Sequence, residues 1–152
     1  MSRVQLALNV NDIDEAVTFY SKLFGAEPAK HRPGYANFAI AEPPLKLVLL
    51  ENPGQGGSLN HLGVEVADVS AVDSEQTRLA ATGLDLADER DTTCCYARQD
   101  KFWIKNAPDG ESWEFYTVLE DSATFYGQDD SQACCGGPAG SSAETAAGTT
   151  CC

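Results

Sequence analysis

The chain opens with a strict alternation of hydrophobic and polar residues, and a helical pattern follows it. Every second residue from 4 to 10 is Val or Leu, which is the period of a strand with one buried face. Hydrophobic residues then recur at helical spacing over 13–24. Asp12 and Glu15 form a capping box before this segment, and Gly25 is the expected C-terminal stop. The pattern predicts a strand followed by an amphipathic helix.

Short strand-like runs fill the remainder of the first half of the chain. Runs at 29–32, 35–40 and 45–50 have the length and composition of strands. Pro33-Gly34 and Pro43-Pro44 separate them and predict turns. A polar loop closes this half.

The second half repeats the first. Residues 61–69 align with residues 5–13 without a gap, and an aspartate followed by a β-branched residue coincides in both. The elements predicted after this segment are one helix and three strands, at 70–82, 86–90, 98–105 and 112–118. The chain is therefore predicted to be an internal repeat of a β-α-β-β-β unit, which makes it an α+β protein.

The composition changes near residue 120. The segment beyond it is rich in Gly, Ala, Ser and Thr, with few large hydrophobic residues. Such a segment does not bury enough surface to offset its ordering entropy. We expect one folded domain over 1–120, with modules at about 1–57 and 58–120, and a disordered cysteine-containing tail over 121–152.

All six cysteines lie in three adjacent pairs, Cys94-Cys95, Cys134-Cys135 and Cys151-Cys152. Consecutive Cα atoms are about 3.8 Å apart, which is shorter than the roughly 4.4–6.8 Å spanned by a relaxed disulfide. Two adjacent thiolates are instead well placed to bind one soft centre, such as As(III), Cd(II) or Hg(II). Reduced surface thiols without a role are the alternative.

The charge of the chain limits its partners. Ten Lys and Arg residues against 23 Asp and Glu residues give a net charge of −13, which repels nucleic acid and anionic membranes. No segment is apolar for long enough to span a bilayer, and the N-terminus has no signal-peptide core. Reduced adjacent thiols suit a reducing compartment. We expect a cytoplasmic protein with a small-molecule partner and no nucleic-acid or membrane partner.

Three passages carry a resemblance to the vicinal oxygen chelate superfamily, which includes glyoxalase I, extradiol dioxygenases and fosfomycin-resistance proteins. They are the strand and helix over 10–25, the start of the second module at 60–63, and the Asp-Gly turn with its following glutamate over 108–115. The resemblance covers residues 4 to about 120. It implies two βαβββ modules that form a metal-containing cup.

Within this superfamily the chain most resembles the cadmium-induced protein and carbon–arsenic lyase group. The opening at 9–25, the Cys94-Cys95 pair and the cysteine-bearing tail carry this likeness. It implies an Fe(II)-dependent dioxygenase that uses O₂ to split the C–As bond of trivalent organoarsenicals, such as methylarsenite and aromatic arsenicals. The products would be arsenite and an oxidised organic fragment.

The resemblance places the metal ligands at Gln5, His61 and Glu114. An open face of three ligands suits non-haem Fe(II), which needs vacant positions, and we expect Ni, Co, Mn or Zn to substitute in vitro. Gln5 departs from the histidine of many relatives and is a neutral, weaker ligand. A fourth position would fall in the strand at 45–50, whose inward residues are expected to be aliphatic.

We interpret Cys94 and Cys95 as catalytic and substrate-binding residues. Their surroundings, 91–98, have the polar composition of a mobile loop that closes over the cup. The two thiolates would chelate arsenic and turn its carbon substituent toward the metal. Arg98 and Lys101 are expected to lower the pKa of the thiols by their charge.

The sequence leaves other functions open. A binding protein that buffers Cd(II) or As(III) under stress would use the thiols alone. A glyoxalase-like isomerase or thiol transferase would use the same fold for different chemistry. The tail cysteines either pass substrate inward, retain product or have no role. The protein is expected to be a monomer or a homodimer.

Overall fold

The computed structural model describes residues 2–127. Its ten elements in chain order are β1 (Arg3–Val10), α1 (Ile13–Phe24), β2 (Lys30–Arg32), β3 (Tyr35–Ile40), β4 (Leu45–Glu51), β5 (Leu59–Glu65), α2 (Val69–Ala80), β6 (Leu86–Cys94), β7 (Ala97–Ile104) and β8 (Trp113–Asp121). Each half of the chain thus contains one strand, one helix and three further strands, as the sequence repeat predicts.

The eight strands form one sheet in the order β2-β3-β4-β1-β5-β8-β7-β6. The first and last strands of each module pair in parallel, β1 with β4 and β5 with β8. The two modules join through the antiparallel pair β1 and β5 at the centre. This arrangement confirms the α+β class and the two βαβββ modules.

Both helices begin where the sequence places a capping aspartate. The Asp12 carboxylate accepts a hydrogen bond from the Glu15 backbone N–H at 2.8 Å, and Asp68 caps α2 in the same way through Ala71. Gly25 ends α1 with a φ of 61°, a left-handed conformation that favours glycine. Neither helix among residues 2–127 is long and apolar enough to cross a bilayer.

One face of the first-module sheet packs against α1, and this leaves the other face for a cavity. Phe38, Leu47 and Leu49 are fully or almost fully buried, and they form a hydrophobic cluster with Ile13 at the start of the helix. Because side chains alternate along a strand, the neighbours of Leu47 on β4 point to the opposite face.

The region around the first cysteine pair differs from its prediction. Residue Cys94 is the last of β6, and Ala97, its partner in the ladder, is the first of β7. Between them Cys95 and Tyr96 have φ values of 56° and 60°, which is the conformation of a two-residue type I′ hairpin turn. The prediction of a mobile loop over 91–98 is therefore wrong. The strand is polar because β6 is at the edge of the sheet, and a polar composition is also what predicts a loop.

The curvature of the sheet brings this hairpin to the opposite module. The Lys30 ammonium on β2 donates to the Tyr96 backbone oxygen at 2.8 Å and to Asp121 at 2.7 Å. The turn also packs on the first module, where Tyr35 and Tyr96 have ring centroids 5.4 Å apart. The hairpin thus extends over the cavity that the curved sheet encloses.

The packed part of the chain continues past β8. Phe125 lies with its ring centroid 6.0 Å from that of Tyr35 and 5.4 Å from that of Tyr96. Tyr126 forms a β-bridge with Cys94. The first residues of the predicted tail therefore support the hairpin, and Cys134, Cys135, Cys151 and Cys152 lie outside the described residues.

Candidate functional site

Three polar side chains from three central strands meet inside the cavity. Gln5 lies on β1, His61 on β5 and Glu114 on β8, and each is 4 % exposed. Gln5 Nε2 lies 3.0 Å from His61 Nε2 and 2.8 Å from Glu114 Oε1, and the last two atoms are 3.4 Å apart. The structure therefore brings together, as a closed triangle of side-chain ends, the three residues that the resemblance assigns to a metal.

The spacing of the three side-chain ends fits a divalent metal ion, provided that the amide oxygen of Gln5 takes the corner that Nε2 occupies here. Ligand atoms at about 2.1 Å from an octahedral ion and at right angles to each other are about 3.0 Å apart, which is close to all three edges. No group of three His, Cys, Asp or Glu side chains suited to a metal occurs within residues 2–127. A three-residue protein face at this place therefore includes the amide of Gln5.

His61 is held with one ring nitrogen toward the triangle. Its Nδ1 lies 2.7 Å from Asn60 Oδ1, and an amide oxygen only accepts hydrogen bonds, so Nδ1 carries the proton. The lone pair of Nε2 is thereby directed at the cavity. Trp103 packs edge-on against the imidazole with ring centroids 5.6 Å apart. The ring is oriented before any ion binds.

Glu114 is ionised although it is buried. Burial alone would raise the pKa of this carboxyl, but the charge of Lys101 outweighs it, and the pKa is about 2. Lys101 Nζ lies 3.2 Å from Glu114 Oε2 and 3.6 Å from Glu89 Oε2, and its residue is 1 % exposed. The site thus contains a carboxylate at neutral pH, balanced by a buried cation.

The two basic residues that were expected to lower the pKa of the thiols both contact carboxylates. Lys101 pairs with Glu114, as described above. Arg98 Nε donates to Glu120 at 2.7 Å, and its Nη1 contacts Asp91. Both cations are engaged by carboxylates on β6 and β8.

Gly63 makes the convergence of the triangle possible. It pairs with Gln5 on one side and with Glu114 on the other. A Cβ at this position would lie 3.0 Å from Glu114 Cγ and 3.4 Å from Gln5 Cβ. The first of these contacts is tighter than ordinary packing, so a side chain here would push Glu114 aside by a few tenths of an ångström.

A second polar group lies behind Gln5, and no sequence motif marks its residues. The Tyr116 hydroxyl contacts Gln5 Oε1 and lies 3.0 Å from Glu65 Oε2. Glu65 binds Arg3 and Lys46, each at 3.0 Å, and these cations outweigh its burial and lower its pKa. Burial, followed by the Glu65 charge, raises the pKa of Tyr116 well above 10. The tyrosine therefore keeps its proton next to an ionised carboxylate.

Internal symmetry identifies the fourth ligand position. Gln5 corresponds to His61, and Ala7, two residues on, corresponds to Gly63. Gly63 pairs with Glu114, whereas Ala7 pairs with Val48. An aliphatic side chain therefore occupies the counterpart of Glu114. The expectation that all inward residues of β4 are aliphatic is wrong, however, because Lys46 also lines the cavity.

The first cysteine pair lines the same cavity as the triangle. The space has a volume of about 320 Å³, and Gln5, His61, Glu114, Cys94 and Cys95 are all among its lining residues. The two Sγ atoms are 3.2 Å apart, farther than the roughly 2.05 Å of an S–S bond. Cys94 and Cys95 are therefore not bonded to each other, although Cys94 is in the disulfide-bonded state in this structure. A clamp of two thiolates therefore describes the reduced protein.

The sequence matches a known family over residues 3–115, that of the Glyoxalase/Bleomycin resistance protein/Dioxygenase superfamily. The chain is 66 % identical over 125 residues to "Cadmium-induced protein CadI" of Mycobacterium tuberculosis (strain ATCC 25618 / H37Rv), which covers 82 % of each chain. It is 56 % identical over 153 residues to the "Trivalent organoarsenical cleaving enzyme" of Thermomonospora curvata, which covers 100 % of both.

A solved structure shares the fold. The Mn(II)-bound glyoxalase from Novosphingobium aromaticivorans superimposes with a TM-score of 0.55 at 21 % identity, over 81 % of this chain and 42 % of that one. The likeness agrees with the curved sheet built from two βαβββ modules. Together with the match over residues 3–115, it places the fold and the sequence in one family. The chain belongs to the Glyoxalase/Bleomycin resistance protein/Dioxygenase superfamily.

Proposed function

We propose that this protein is an Fe(II)- and O₂-dependent enzyme that cleaves the C–As bond of trivalent organoarsenicals, such as methylarsenite and aromatic arsenicals, and releases arsenite. The observation that carries the proposal is the shared cavity: Cys94 and Cys95 line the same space as Gln5, His61 and Glu114. The name of the relative that is 56 % identical over the full chain, "Trivalent organoarsenical cleaving enzyme", supports it.

Capture of the substrate is the task of the two thiols. Each Cys–S–H exchanges with one As–OH group, so that two As–S bonds form and two water molecules leave. The 3.2 Å separation of the sulfur atoms suits binding of a single thiophilic centre from two sides. Cys94 must first be reduced, which is consistent with a cytoplasmic location, where thiols are kept reduced.

A tight hairpin sets the position of the captured arsenic. The thiols lie at the end of β6 and in the two-residue turn that follows it, and Lys30 ties this turn to the first module. The sheet itself therefore presents the sulfur atoms to the cavity. No loop closure is needed to bring the bound arsenical next to the triangle.

Gln5, His61 and Glu114 would hold the iron. When bound, Fe(II) supplies open positions at which O₂ is activated. His61 contributes the nitrogen that Asn60 leaves unprotonated, and Glu114 contributes the negative charge that Lys101 stabilises. Val48 offers no donor atom at the fourth position, so that position stays available.

The chemistry balances for methylarsenite. CH₃As(OH)₂ and O₂ give As(OH)₃ and HCHO, which conserves every atom. The C–As bond breaks, the methyl carbon is oxidised to formaldehyde, and O₂ accepts the four electrons while arsenic stays trivalent. Formaldehyde and arsenite are therefore expected in equal amounts.

The test is an incubation of the reduced, full-length protein with Fe(II) and methylarsenite, with and without O₂. We expect arsenite and formaldehyde in air alone, and neither from the Glu114→Ala variant. Methylarsenite that is bound but recovered unchanged in air would overturn the proposal. It would favour a thiol-based protein that binds As(III) or Cd(II) without chemistry.

A further inference from the structure

The Tyr116 hydroxyl has two oxygen neighbours but only one proton. It contacts Gln5 Oε1 and lies 3.0 Å from Glu65 Oε2. Glu65 is an ionised carboxylate and only accepts hydrogen bonds. Since a charged acceptor forms the stronger bond, the proton of Tyr116 belongs on Glu65. The contact between Tyr116 and Gln5 then lacks a hydrogen in the present amide orientation.

The same orientation is also unsuited to a metal. Gln5 directs its NH₂ group at His61 Nε2 and Glu114 Oε1, at 3.0 and 2.8 Å. An amide N–H donates hydrogen bonds and has no lone pair for a cation. In this arrangement the NH₂ group donates to both other corners of the triangle, so no lone pair of Gln5 faces the position of an ion.

With an ion bound in the triangle as the partner of Oε1, a half-turn of the Gln5 amide would resolve both contacts together. The rotation exchanges Oε1 and Nε2, so the oxygen takes the corner of the triangle and the nitrogen comes next to Tyr116. Nε2 then donates to the tyrosine oxygen, while the tyrosine donates to Glu65. Every polar group in the chain from Glu65 to Gln5 has a partner of the right kind.

We propose that Tyr116 is a positioning residue for the metal site: its hydroxyl, donating to Glu65, accepts a hydrogen bond from Gln5 Nε2 and so turns Gln5 Oε1 toward the metal. This rests on the metal face of the proposed function. The anchor of the arrangement lies outside the ligands, because Arg3 and Lys46 hold Glu65 in place. Gln5 acts as a metal ligand through this support, although its amide is a weak donor.

The test measures Mn(II) affinity of the reduced, full-length protein from the electron paramagnetic resonance signal of the free ion. Mn(II) is a hard cation that does not compete for thiols. We expect Tyr116→Phe to weaken binding by about tenfold or more, the usual effect of removing a partner of a ligand. Tyr35→Phe is the matched control, since Tyr35 is equally buried but its hydroxyl contacts Asn37. Its affinity is expected to stay within about twofold.

A second background separates orientation of the amide from general damage. Histidine at position 5 has no amide to orient, so in Gln5→His protein the Tyr116→Phe change is expected to alter Mn(II) affinity by no more than about twofold. Wild-type affinity in Tyr116→Phe would overturn the inference. An equal loss in the Tyr35→Phe control or in the Gln5→His background would also overturn it.

The inference and the proposed function fail in different ways. If all variants bind Mn(II) as expected but no arsenite is released in air, the role of Tyr116 stands and the proposed lyase activity is wrong. If the wild-type protein binds no Mn(II), both the proposed metal face and the role of Tyr116 are wrong.

Discussion

Replacing Gly63 with alanine should disturb the metal site through a single methyl group. The added Cβ would lie 3.0 Å from Glu114 Cγ and 3.4 Å from Gln5 Nε2. Carbon atoms pack at about 3.5–4.0 Å, so Glu114 has to move by a few tenths of an ångström. Groups in a functional site are typically held within about 0.5 Å of their productive positions, so a shift of this kind should weaken the site.

Two quantities should change in the Gly63→Ala variant. Overpacking a buried position typically costs about 1–3 kcal/mol of stability, which urea unfolding of the metal-free protein measures. Displacement of Glu114 should also weaken Mn(II) binding by about tenfold or more, as the loss of support for a ligand does.

The matched control is Ala36→Val. Ala36 is fully buried in the cluster under α1, on the other face of the sheet. This variant should lose comparable stability and keep its Mn(II) affinity. If Gly63→Ala binds Mn(II) as tightly as wild type, the close approach of the two ligands across Gly63 is not what shapes the site.

Three further outcomes follow from the same contacts. Lys101→Met leaves the Glu114 carboxylate buried without its main cation, so the metal-free variant should lose about 3–5 kcal/mol of stability in urea unfolding. Mn(II) should restore more stability to this variant than to wild type, and equal stability of the two metal-free proteins would refute the pairing. The pKa of Glu114 is about 2 in the fold against 4.5 ordinarily, so ionised Glu114 should contribute roughly 3 kcal/mol to the free energy of unfolding. This contribution should be complete above pH 4.5 and disappear as the pH falls toward 2. A Glu114→Gln variant that loses stability below pH 4.5 as steeply as wild type would contradict this. Cys94→Ser and Cys95→Ser should each abolish arsenite release but keep wild-type Mn(II) affinity; normal turnover in either variant would rule out the clamp.

The repeat and its helices were predictable because their signals are local. Asp12 and Asp68 both stand before a hydrophobic helical pattern, and each caps a helix in the structure. Candidate ligand positions could be proposed from the resemblance, since the repeat places Gln5 and His61 at equivalent points of two strands. The structure brings both to Glu114 as expected.

The residues that support the ligands could not be predicted, because their roles depend on neighbours in other strands. Lys101 occurs in a strand of mixed polarity and has the sequence context of a solvent-exposed cation. Its partner Glu114 comes from β8, the strand next to it in the sheet. Tyr116 and Glu65 meet across the β5 and β8 pair. Such contacts are fixed by strand order and register, which hydrophobic periodicity does not specify.

The hairpin carrying the thiols illustrates a second limit. A polar stretch at the edge of a sheet has the same composition as a loop, so the sequence could not distinguish β6 from a mobile segment. The structure instead gives a two-residue turn at Cys95 and Tyr96. This replaces a closing loop by a fixed presentation of the sulfur atoms.

A single-turnover reaction tests the central claim most directly, that the thiols and the metal face act on one substrate in one cavity. Reduced, Fe(II)-loaded protein in excess over methylarsenite is prepared without O₂, exposed to air and denatured, and arsenite and formaldehyde are then counted. The account predicts that all bound methylarsenite is converted to equal amounts of the two products. Recovery of intact methylarsenite from the denatured protein would contradict it.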